Sequence, residues 1–116
     1  MTNQEAFEIS TKHVLNLKER CTNSEGCSYR NEKGSSCAIG ILIPDEQYEP
    51  GLESMSAREL DFLPCLQGLE FDMLEELQIT HDYKPDHEPN RWPPPVKKFI
   101  RIGRMYNLDT SFLTKM

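Results

Sequence analysis

The sequence contains no run of apolar residues close to the ~18 that a membrane-crossing helix requires. Met1 to Glu8 show no basic stretch leading into an apolar one, so no signal peptide is expected. There is no Cys-x-x-Cys pair, so the usual spacing of zinc ligands is missing. The phosphate-cradling G-x-x-x-x-G-K-[ST] loop, the dinucleotide G-x-G-x-x-G turn and the hydrolase G-x-S-x-G elbow are all absent. No internal repeat or low-complexity tract points to a solenoid or a disordered tail.

What remains is 116 residues, enough for a single domain over 1–116 and for one modest core. The hydrophobic fraction of 37% is low, so that core should be thin. A cytoplasmic location is expected, with Cys21, Cys27, Cys37 and Cys65 as free thiols. The net charge is −6 and is unevenly spread. Residues 45–90 carry thirteen acidic side chains against Arg58 and Lys84, whereas residues 91–116 carry six basic ones against Asp109. That asymmetry suits internal pairing or a surface that steers a partner, and it argues against general nucleic-acid binding.

Apolar spacing predicts a first helix from about Gln4 to Arg20, capped by Thr2 or Asn3 and burying Phe7, Val14, Leu17 and Cys21. Cys27–Arg30 and Ser35–Ile43, joined by Asn31-Glu32-Lys33-Gly34, predict an antiparallel β-hairpin, with Gly40 marking a close backbone approach. Residues 45–55 read as irregular. Ser56-Ala57-Arg58-Glu59 has capping-box spacing before a short helix that Pro64 ends. A further helix is predicted over 66–81 with Leu66, Met73, Leu74 and Leu77 inward, and Gly68 as a place where it could split. Residues 82–92 read as a loop. Pro93-Pro94-Pro95 should lead into a helix reaching Tyr106, with Asn107 as a left-handed cap and Asp109 capping a last short turn. The expected class is therefore α+β: a helix-rich domain with one β-hairpin packed against about four helices.

Several residues carry potential chemistry. Cys27 and Cys37, on opposite arms of the expected hairpin, could bind zinc with His81 or His87, although small core residues are the simpler reading. No histidine is brought near a cysteine by sequence alone, so a Cys/His nucleophile has no local support. His81-Asp82 could supply a ligand pair, or His81 could simply complement a helix C-terminus. Asp45, Glu46, Glu49 and Glu53 surround Tyr48; an acid/base pair would need one of them buried, and solvation is the preferred reading. Glu70, Asp72, Glu75 and Glu76 read as the wet face of a helix. Lys97, Lys98, Arg101 and Arg104 form the one basic patch, and the exposed side of an amphipathic helix explains it more simply than phosphate binding. Trp92 could anchor its loop or mark a contact.

The residues Cys27-Ser28-Tyr29-Arg30, Gly34, Cys37-Ala38-Ile39-Gly40-Ile41-Leu42-Ile43-Pro44-Asp45 and Tyr48 resemble a pattern in small uncharacterised bacterial and phage proteins. Leu77-Gln78, His81-Asp82 and Trp92 match that pattern's downstream part. The resemblance implies a phage or mobile-element source and carries no established activity. It leaves Arg30, Asp45, Tyr48, His81, Asp82 and Trp92 as the candidate ligand- or partner-binding residues. They either converge on one pocket or form a buried hydrogen-bonded network, and the network is preferred. The leading expectation is a small acidic non-enzymatic protein that engages a host protein stoichiometrically, as an inhibitor of the anti-defence or host-takeover type, without a cofactor. The alternatives are a small enzyme or ligand-binding protein built on the polar cluster, and a zinc-stabilised module.

Overall fold

The computed structural model describes residues 1–18, 21–23, 26–31, 33–82 and 92–114, with the backbone alone at 23, 26 and 27. Helix α1 spans Asn3–Asn16. Thr2 caps it: its Oγ1 accepts the Glu5 N–H at 3.1 Å, and Glu5 Oε1 accepts the Thr2 N–H at 3.0 Å, so two amides without helical partners are satisfied reciprocally. The helix ends a turn earlier than apolar spacing suggests, at an extended Leu17. Leu17 offers its carbonyl to the indole N–H of Trp92 at 2.8 Å.

The expected hairpin is not formed, and the domain is all-α rather than α+β. Among the described residues, extended pairing is confined to Thr22–Asn23 against Gly26–Cys27 and to a single bridge between Arg30 and Ser36. The stretch expected to be the second strand turns instead into a 3-10 helix at Gly40–Leu42. Burial explains the change. Cys37, Ala38, Ile39 and Gly40 are consecutive and all buried. A strand turns alternate residues to opposite faces, whereas a tight helical turn can wrap successive residues into one small core. Gly40 permits the turn, because a Cβ there would lie 2.0 Å from the Tyr29 carbonyl oxygen.

The next segment is a chain of short 3-10 helices at Asp45–Gln47, Pro50–Ser54, Arg58–Phe62 and Pro64–Leu66. Each buries few residues: Leu52, Leu60 and Leu66 point inward while Glu59 and Asp61 face water. Gly68, at φ +83°, breaks the helix expected over 66–81. Helix α2 therefore runs over Phe71–Asp82. Its start is fixed to that of α1 by the Glu70 N–H, which donates to Asn3 Oδ1 at 2.7 Å.

Helix α3 spans Val96–Met105, and Asn107 ends it at φ +57°, the left-handed cap expected there. Helix α4, Ser111–Thr114, is a single turn whose Ser111 N–H is taken by Asp109 Oδ1 at 2.9 Å. It packs Phe112 edge-on to Phe7, with ring centroids 5.8 Å apart. Gln4 bonds the Asp109 backbone in both directions, at 3.0 and 2.8 Å. One core joins Phe7 and Val14 of α1, Met73, Leu74 and Leu77 of α2, Phe99 and Ile102 of α3, and Cys37, Ala38 and Ile39, which lead into the 3-10 helix at Gly40–Leu42. None of the helices described is long and apolar enough to cross a membrane.

Candidate functional site

The six candidate residues fall into two groups. In the first, the Arg30 guanidinium reaches Asp45 Oδ1 at 2.7 Å and the Ile43 carbonyl at 2.7 Å, and lies 4.5 Å from the centroid of the Tyr48 ring. The centre of this group is a residue that sequence reasoning assigned to solvent. Glu53 Oε1 accepts the Tyr29 N–H at 2.8 Å; Glu53 Oε2 accepts the Arg30 N–H at 3.0 Å and the Tyr48 hydroxyl at 2.5 Å. Desolvation, then the bond to Glu53, pushes the Tyr48 phenol up to about 12. The only sequence signal for Glu53 is its distance of five residues from Tyr48, and that is too weak to distinguish it from Glu46 or Glu49.

The second group lies at the end of α2. Asp82 Oδ1 sits 2.8 Å from His81 Nδ1 and accepts the Gln78 amide at 3.0 Å. His81 is fully buried; its Nε2 accepts the Cys21 N–H at 3.3 Å, and its ring stands edge-on to Trp92 at 5.5 Å. Gln78 Oε1 in turn accepts the Cys37 thiol at 3.1 Å. Burial pushes the Cys37 thiol up to about 12 and raises that of Cys21 as well, so neither is predisposed to become a thiolate nucleophile.

Arg30 and Asp45 border one shallow cleft, and Asp82 borders another, so the six residues do not line a single pocket. Most of their polar atoms are bonded to backbone or to neighbouring side chains, and the Cys37 thiol bonded to Gln78 ties the 28–55 segment to α2. No group of three or more His, Cys, Asp and Glu is placed to hold a metal ion among the described residues. The side chain of Cys27, together with His87 and most of the 82–92 loop, lies outside them.

The cleft that Asp82 borders has a volume of about 460 Å³ and opens between α2 and the 53–57 segment. Glu53, Glu75 and Asp82 supply three carboxylates to its wall, while Tyr29, Met55, Ala57 and Ile79 supply apolar surface. Among the described residues, no basic side chain lines it. Arg58 lies beside it, held by Asp72 and by Glu75 Oε1 at 3.0 Å. No family profile, curated protein or solved structure matches the chain.

Proposed function

We propose that the chain is a non-catalytic binding protein that engages another protein stoichiometrically through this acidic cleft. The observation that carries the reading is the cleft's composition: three carboxylates around an apolar floor, with no cation in the lining among the described residues. Such a wall suits a Lys or Arg side chain, whose apolar stem packs while its charged head meets the acids. Bonds within the fold hold these acids in place: Glu53 accepts from Tyr29, Arg30 and Tyr48, Glu75 pairs with Arg58, and Asp82 accepts from Gln78. The resemblance to phage and bacterial proteins gives the proposal its biological form, a phage- or mobile-element-encoded modulator of a host protein.

The test is capture from bacterial lysate by the immobilised chain, compared with Ser56→Lys. Ser56 lines the cleft and is exposed, and its backbone N–H donates to Glu59 Oε1 at 3.1 Å. The wild-type chain should retain a basic protein at near-equal molar yield, and Ser56→Lys should weaken that retention about tenfold or more, equivalent to ~1.4 kcal/mol. Absence of a stoichiometric partner, or equal retention by the variant, refutes the reading.

A further inference from the structure

Charge and apolar surface on the α2–α3 face are arranged in order. The acidic cleft comes first, walled by Glu75, Gln78, Ile79 and Asp82 of α2. Ile79 is its far rim, and it is 60% exposed. Beyond Ile79 lies a shallow groove between α2 and α3, which Met105, 52% exposed, also lines. Beyond Met105 lies a second groove, walled by Lys97, Ile100, Arg101 and Arg104, with no acidic side chain in its lining among the described residues. The helical repeat produces this order. Residues 75, 78, 79 and 82 share one side of α2 and 76, 79 and 80 the next, so Ile79 belongs to both; Arg101 and Met105 play the same part on α3. None of Lys97, Arg101 and Arg104 takes part in an ion pair among the described residues.

We infer that this face binds a second copy of the chain across a twofold axis passing between Ile79 and Met105. The acidic cleft, the middle groove of Ile79, Met105, Glu76 and Lys98, and the basic groove follow one another across α2 and α3, so rotation by half a turn about the middle groove sets each acidic cleft toward the partner's basic groove. The same rotation brings each Ile79 toward the partner's Met105. A self-complementary patch of this kind closes at two copies, because every contact is made twice and none is left over. The net charge of −6 does not prevent it. At physiological ionic strength the Debye length is about 8 Å, so repulsion between distant charges is screened while pairs in contact persist. A stable interface requires about 800 Å² from each partner. The molecule, 36 × 34 × 20 Å with an accessible surface of 6921 Å², has broad sides that can supply such an area. A second copy and a foreign partner compete for the acidic cleft, so sedimentation of the chain alone tests the self-contact separately from that reading.

Sedimentation equilibrium of the full chain tests it. The wild type should form dimers with a dissociation constant on the order of 10 µM. Arg101→Glu/Arg104→Glu makes both halves of the face acidic, and Ser56→Lys/Glu75→Lys leaves the cleft without net charge beside the basic groove. Each double variant alone should be monomeric, and their equimolar mixture should recover a one-to-one heterodimer. Circular dichroism establishes that each is folded, and Met105→Glu, a single change at an exposed position, serves as a second disruption should either double variant fail to fold. A wild-type chain that stays monomeric, growth beyond two copies, or a Met105→Glu chain that dimerises as well as the wild type overturns the inference. So does failure of two folded double variants to pair.

Discussion

At the residue scale, Gly40 and Glu53 explain why the 28–55 segment takes its shape. Gly40 lies so close to Tyr29 that even a methyl group has no room. Gly40→Ala must displace backbone rather than a flexible side chain, and it should cost about 2 kcal/mol or more in chemical denaturation. Gly51→Ala is the control: nothing lies within 4 Å of the added Cβ, and its cost should stay within about 0.5 kcal/mol. Equal effects at the two positions would contradict the close approach. Sequence pattern did identify Gly40 as a contact point, since glycine inside an apolar run has few other uses. Glu53 gave no such signal. Its importance comes from three donors brought to it by tertiary structure, and the chemistry of an isolated carboxylate does not foretell them.

At the element scale, α1 holds two threonines with opposite roles. Thr2 satisfies backbone amides at the start of the helix, whereas Thr11 is buried with its hydroxyl unpartnered. Thr2→Ala should therefore destabilise the fold by about 1 kcal/mol. Thr11→Val, which keeps the shape and removes the unsatisfied group, should leave stability unchanged or raise it by up to ~1 kcal/mol. Thermal melts of the two variants check the pair, and a destabilising Thr11→Val would show that the hydroxyl has a partner. Helices α1 and α3 were legible in the sequence because their caps and apolar spacing agree. The hairpin was misread because Ser35–Ile43 is apolar and β-branched enough to suit a strand. Periodicity over so short a run does not separate a strand from a buried 3-10 turn. Of the 3-10 helices between 45 and 66, the one at Arg58–Phe62 falls where the Ser56–Glu59 spacing predicts a short helix, and the others escaped prediction because each is too short to show a stripe.

At the scale of the whole molecule, burial of ionisable groups couples stability to alkaline pH. The Cys37 thiol, ordinarily titrating near 9, is pushed up to about 12 by burial, and the Tyr48 phenol rises from 10 to about 12. The folded chain thus keeps protons that the unfolded chain releases. Their contribution to stability is complete below about pH 9 and is lost as the pH rises toward 12. The melting temperature should fall above pH 9, and Cys37→Ala should show a shallower fall over the same range than the wild type. A melting temperature flat to pH 11, or a fall as steep in the variant, would contradict this account.

The bonds from Tyr29 and Arg30 to Glu53 begin at main-chain amides, not at side chains. Every amino acid but one carries that amide. The clasp should therefore tolerate change at 29 and 30 more readily than change at the acid itself, proline being the one replacement that removes a donor outright. In diverged copies of this chain, position 53 would be expected to stay fixed while the residues it grips drift.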